Sequence, residues 1–238
     1  MTVDELVRNR HSVRKYLDKP IPEDIRDQLN ETAESINGKS GLHIQIIYDE
    51  PECFNCRKAH YGKFENVKNY ISIIGPKDLK DLEEKSGYYG EMLVLKAQDL
   101  GLNTCWVALT HGKSKAEVAD GEKEVIIISL GYGADQGRPH KNKKPEDVSN
   151  ITEGSPGWFC KGVEYALLAP TAINQQRFYL YQQGFKVSTK IPPIGGLTRL
   201  DLGIVKYHFE LGAGNIEFKW AEGKNYREKF RLGIRKTS

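Results

Sequence analysis

Apolar positions along the chain switch between a period near 3.6 and a period near 2, and the switches mark its elements. Thr2 with Glu5 has the form of a capping box, which predicts a short helix ending near Arg8-Asn9. After Pro20-Ile21-Pro22, the acidic pair Glu23-Asp24 suits the first turn of a second helix. Ile25, Leu29, Ala33 and Ile36 follow at helical spacing, and Asn37-Gly38 offers a stop. Residues 42–48 alternate like a strand with one buried face, whereas residues 49–68 are turn-rich and polar and predict a surface excursion. A second strand covers residues 70–74 and is stopped by Gly75-Pro76. A longer helix is expected over residues 87–100, closed by Gly101, with strands at residues 104–109 and 125–130 beyond it.

The pattern breaks over residues 134–157, where Arg138, His140, Lys141, Lys143 and Lys144 accompany three prolines and little that packs. This predicts a basic linker that divides the chain into a first block, residues 1–150, and a second, residues 151–238. In the second block a helix over residues 158–168 precedes a hairpin at residues 178–181 and 185–187. A helix over residues 197–211, closed by Gly212, and a strand at 216–220 complete it. Leu93-Val94 recurs as Ile204-Val205, and Asp99-Leu100-Gly101 as Glu210-Leu211-Gly212, both 111 residues on (93 to 204, 99 to 210). These matches predict an eroded tandem duplication.

Composition narrows the class. In 238 residues, 35 Lys+Arg stand against 32 Asp+Glu, and a net charge of +3 is too small a bias to imply nucleic acid. Hydrophobic residues at 39% are enough for a core and argue against disorder. The run Val125-Ile126-Ile127-Ile128 falls far short of the ~18 residues of a membrane span. No apolar segment follows Met1, so no secretory leader is expected, and four cysteines suit reduced thiols rather than a disulfide framework. The expectation is a soluble, cytoplasmic protein of mixed helix and sheet, with neither membrane nor nucleic acid as partner.

Three clusters could carry chemistry. Arg10-His11-Ser12-Val13-Arg14 places two guanidiniums, an imidazole and a hydroxyl within five residues, which suits a phosphate monoester or, equally, a solvated basic loop. Ala169-Pro170-Thr171-Ala172-Ile173-Asn174-Gln175-Gln176 combines small residues with amides, which suits the edge of a flat heteroaromatic ligand or a simple helix-to-strand turn. The basic stretch from Arg138 to Lys144 could add charge around a phosphate. Cys53 and Cys56 have CxxC spacing, but without a second pair they do not assemble a metal site. There is no GxGxxG, Walker loop, HExxH or GxSxG, and no nucleophile–base pair, so a bound cofactor would have to carry any reaction.

In the order and spacing of its motifs the chain resembles the FMN-dependent nitroreductases over about residues 8 to 148. The run from Arg10 to Tyr16 followed by Pro20-Ile21 is similar to that family's N-terminal signature. Gly90-Glu91 through Trp106 is similar to its central helix and strand, and Ser129-Leu130-Gly131-Tyr132-Gly133 to its C-terminal strand. One departure stands out. The family's Ala-Pro-Ser-x-x-Asn-x-Gln segment is missing after the second helix and turns up instead in the second block, at residues 169–176. The family's homodimers build each FMN site from two subunits, so the resemblance implies an α+β nitroreductase-like fold in which a degenerate tandem repeat forms a monomeric pseudo-dimer. One FMN per chain would follow.

The same resemblance implies roles. Arg10, His11, Ser12 and Arg14 would hold the phosphate and ribityl chain, completed by one or two of Lys141, Lys143 and Lys144. Pro170, Thr171, Asn174 and Gln176 would border the isoalloxazine. Leu109 and Thr110 would bring backbone N–H groups near N5, and Gly195 and Gly196 would form part of the wall. NADH or NADPH would supply hydride to N5, and a small nitro, quinone or related acceptor would take it, with no catalytic side chain required. A flavin-binding sensor or carrier, a reductive dehalogenase with a lid over the flavin, and a scaffold that has lost FMN are the alternatives.

Overall fold

Thr2 Oγ1 accepts from Glu5 N–H while the Glu5 carboxylate accepts from Thr2 N–H, so the expected capping box starts α1 (Val3–Asn9). The computed structural model describes residues 1–192 and 196–221. Helix α2 (Glu23–Ser40) passes through Asn37-Gly38 and ends at Gly41, whose φ of +73° suits glycine. Asn37 is not a stop: its side-chain amide bonds both N–H and C=O of Ile44 and ties the helix to β1 (His43–Ile47). Gly38 is exposed within α2, and nothing lies within 4 Å of where a Cβ would sit. Gly38→Ala is therefore expected to raise stability by about 0.5–1 kcal/mol, read as a higher thermal midpoint.

The main sheet adds β2 (Asn69–Pro76), β3 (Asn103–Val107) and β4 (Glu122–Gly131), in the order β1-β2-β4-β3, with every pair antiparallel. Both faces are covered, which accounts for the unbroken apolar run in β4. Ile71, Ile73, Ile126 and Ile128 join the core under α2 and α4 (Leu82–Asp99), while Tyr70, Cys105, Val107 and Ile127 form a second cluster with Phe54 and Phe64. Residues 49–68 are therefore not a surface excursion. They carry α3 (Arg57–Tyr61) and bury Cys53, Phe54, Ala59, Phe64 and Val67, apolar positions hidden in the sequence among charged neighbours. Strand β2 continues through Gly75-Pro76, and α4 begins at Leu82 rather than Gly87.

Residues 134–157 form a packed strap and not a free linker. They include α5 (Pro145–Val148); Val148 and Ser149 are buried, and Asn150 exchanges hydrogen bonds with Gln182. Beyond the strap come α6 (Gly157–Leu168), a 3₁₀ turn (Ala172–Asn174), and the hairpin of β5 (Tyr179–Gln183) and β6 (Lys186–Lys190). Helix α7 (Gly196–Ala213) follows, and β7 (Lys219–Trp220) pairs parallel to β6. Phe159, Val163, Ile204, Val205 and Phe209 belong to the same core as α2 and α4, so hydrophobic packing runs unbroken across residue 150. Among the described residues no helix is long and apolar enough to cross a membrane.

Helices α4 and α7 approach at their glycines. A methyl on Gly87 would overlap Leu200 O and lie 3.1 Å from Ile204 N, and one on Gly203 would overlap Glu84 O and lie 2.6 Å from Tyr88 N. Glu84, Gly87 and Tyr88 thus exchange with Leu200, Gly203 and Ile204 at one offset of 116 residues (200 − 84, 203 − 87, 204 − 88). The crossing has a local two-fold relation, in a register different from the 111-residue echo in sequence.

Candidate functional site

Beyond α1 the chain turns along β3: Ser12 bridges Thr104, and Val13 N–H donates to Thr104 O at 3.0 Å. This anchors His11, Ser12 and Arg14 on the wall of a cavity of about 530 Å³, a size that suits a cofactor. Pro170, Thr171, Ile173 and Asn174 line the same cavity, so the first and second sequence clusters meet although about 160 residues separate them. Cys105, Trp106 and Ala108 come from β3 and its end, and Leu197, Leu200, Asp201 and Ile204 from α7. The strap contributes Arg138 and His140.

The charge on this wall is mostly positive, from Arg14, Lys15, Lys63 and Arg138. Burial lowers the pKa of His11 and His140, favouring neutral imidazoles near pH 7. Burial raises the Cys105 thiol, which disfavours a reactive thiolate. One carboxyl stands apart: burial pushes Asp201 up to about 6, against a partial lowering by Ala172 N–H.

The turn after α6 is strained. Ile173, Asn174 and Gln176 have φ of +45°, +55° and +47°, a region that side chains other than glycine adopt at a cost of about 1–3 kcal/mol each. Hydrogen bonds hold it. Ala172 N–H donates to both Asp201 oxygens at 3.0 and 3.1 Å, Gln176 N–H to Thr171 Oγ1 at 3.1 Å, and Asn174 Nδ2 to Lys141 O at 2.7 Å. Asn174 Oδ1 is buried without a hydrogen-bond partner among the described residues, an acceptor available to a ligand.

Several expected site residues lie off the wall. Arg10 is 3% exposed and points its Nε at Glu91, 3.5 Å from Oε1. Leu109 and Thr110 follow the end of β3 and do not line the cavity, whereas Ala108 does. Lys143 Nζ bonds Gln176 O, Lys141 and Lys144 are held through main-chain groups with their side chains exposed, and none of the three lines the cavity. Gln176 is 1% exposed, its amide bound to Leu167 O, Asn142 and Lys143 N–H. Gly195 lies outside the described residues, and Gly196 begins α7. Residues 49–68 are long enough to form the lid of the dehalogenase alternative, but they pack against the second face of the sheet and only Lys63 among them reaches the wall.

Of the basic stretch expected to add charge around a phosphate, Arg138 and His140 reach the wall, whereas Trp106 and Asp201 were missed by sequence reasoning. A signal for Asp201 existed: Leu197, Leu200, Asp201 and Ile204 fall at i, i+3, i+4 and i+7, which places one carboxyl on the apolar stripe of α7.

The cavity joins a cluster of cations and hydrogen-bond donors to an apolar wall with amides. The family model described as "Putative TM nitroreductase" matches residues 2–213, and the chain belongs to that nitroreductase family, a class of oxidoreductases. It is similar to a solved structure described as a nitroreductase from Thermotoga maritima. That likeness has 25% identity and a TM-score of 0.65, and covers 89% of this chain and 83% of that one. It also shares its fold with a nitroreductase from Exiguobacterium sibiricum, solved in complex with FMN. There the identity is 16% and the TM-score 0.52, covering 64% of this chain and 98% of that one. No curated protein sequence matches it.

Proposed function

We propose that the chain is an FMN-dependent oxidoreductase that draws electrons from NADH or NADPH and passes them to a small organic acceptor in the same cavity. The observation that carries this reading is the meeting of His11, Ser12, Arg14 and Arg138 with Pro170, Thr171 and Asn174 around one space of about 530 Å³. The donor set fits FMN: forked guanidiniums and a hydroxyl suit its phosphate, and the buried, unpaired Asn174 Oδ1 suits an N–H on the edge of its ring. The FMN in the Exiguobacterium relative supports the same cofactor. When bound, FMN supplies a ring that accepts hydride from a nicotinamide and delivers it to an acceptor.

The chain's own residues would orient that ring and exclude water. Arg14 and Arg138 would neutralise phosphate charge, with Ser12 adding a directional hydroxyl. Leu197, Leu200 and Ile204 would form the apolar wall, and the hydrogen-bonded turn at residues 172–174 would fix the ring's edge. Arg14→Ala removes a charge-assisted contact of about 1.5–3 kcal/mol and is expected to weaken FMN binding roughly 10- to 100-fold, measured by flavin fluorescence titration.

The two-fold crossing of α4 and α7 supports a fused pseudo-dimer with halves 1–150 and 151–238, one carrying the phosphate cluster and the other the ring-contacting turn. On that reading the protein sediments as a monomer with one FMN; an obligate dimer would contradict it.

A further inference from the structure

Asp201 shares the cavity-facing stripe of α7 with Leu197, Leu200 and Ile204, and the only hydrogen-bond donor it meets among the described residues is Ala172 N–H. An asparagine could accept from that N–H without bringing charge into an apolar wall. The acid is costly there. Its folded-state pKa, about 6 against an ordinary 3.8, means that the native state holds the proton more tightly than the unfolded chain does. The fold therefore weakens as pH rises from about 4 to about 6, and the loss persists above that range. What the acid offers and an amide does not is a proton.

We propose that Asp201 is the catalytic proton donor to the acceptor reduced in this cavity, a role that rests on the flavin reading above. Converting a quinone to its hydroquinone takes one hydride and one proton. The hydride, with both electrons, comes from reduced FMN and forms the new bond to the acceptor. The Asp201 O–H bond breaks, its proton goes to the other acceptor oxygen, the electron pair stays on the carboxylate, and water returns the proton.

The surrounding charges are compatible with this role. The 3₁₀ turn packed on Asp201 carries no titratable side chain. The segment after α1 brings His11, Arg14 and Lys15 to the cavity, and Lys63 follows α3. The strap brings Asp135, Arg138 and His140. On α4, Glu84 is paired with Lys206, and Glu91 with Arg10 and His208. On α6, Lys161 and Glu164 pair with each other, and on α7 Arg199 acts on Glu83.

The test uses the FMN-loaded protein and its Asp201→Asn variant, both reduced anaerobically and mixed with benzoquinone or with ferricyanide, which takes electrons without a proton. Flavin reoxidation is followed between about pH 5 and 8. The wild-type rate with benzoquinone should fall as pH rises through about 6. The variant should be slower by about 10²-fold at the acid end and flat with pH, yet match wild type with ferricyanide. Two readouts are independent of turnover. A protonated-carboxyl infrared band titrating near pH 6 should vanish in the variant, and the variant should melt higher than wild type above pH 6. Equal slowing with both oxidants, or no slowing with either, overturns the proposal and leaves Asp201 as an anchor of the turn. A wild-type protein that binds no FMN overturns the flavin reading itself, and this role with it.

Discussion

Glu91→Ala is expected to destabilise the protein by about 3–5 kcal/mol, a large part of the 5–15 kcal/mol that holds a typical domain together. Glu91 and His208 are both fully buried, with His208 Nε2 2.8 Å from Glu91 Oε1. Trp106 Nε1 donates to Oε2 at 2.8 Å, and the Arg10 guanidinium stands 3.5 Å from Oε1. Removing the carboxylate leaves a buried cation without its counter-charge and two ring nitrogens without a partner. For a chain of this size the melting temperature should fall by roughly 10 °C in calorimetry. Adding Arg10→Met should recover much of the loss, because the uncompensated charge is then gone. If Glu91→Ala melts like wild type, the network does not hold the fold as described.

Gly203→Ala is the second large effect, and two terms of opposite sign decide it. Alanine gains about 1 kcal/mol of helix propensity over glycine. The new methyl overlaps Glu84 O and lies 2.6 Å from Tyr88 N, both main-chain atoms of α4 that no rotamer change can move. Overpacking of this kind costs about 1–3 kcal/mol or more, so the steric term wins and urea denaturation should show a net loss. Gly87→Ala should behave alike, because the local two-fold sets it against Leu200 and Ile204 in the same way. Gly38→Ala is the control, since the same substitution in open space should stabilise. Helices that merely touched would tolerate all three changes.

Local signals in the sequence were reliable where one physical rule decides the outcome. The Thr2–Glu5 capping box, the periods of α2 and α4, and the β5–β6 hairpin were all legible for that reason. What was not legible depended on long-range packing. Phe54, Ala59 and Phe64 look like scattered apolar residues in a polar segment until the second face of the sheet gives them a surface to cover. The strap's lysines read as charge for a ligand, whereas the Lys143 ammonium is bound to Gln176 O and none of Lys141, Lys143 and Lys144 lines the cavity. Among the phosphate candidates, Arg10 and Arg14 cannot be told apart by residue type. Arg10 caps α1 and turns inward to Glu91, while Arg14 stays exposed on the cavity wall. Asp201 was the most informative oversight, a carboxyl on an apolar helical stripe.

A titration of the purified protein with FMN, followed by visible absorption and by the quenching of flavin fluorescence, tests the proposed cofactor site most directly. Saturation at about one FMN per chain, with the bound flavin then bleached under anaerobic NADH or NADPH, is the predicted result. Failure to bind FMN would contradict it, because the cavity between Arg14 and Asn174 would then serve some other ligand.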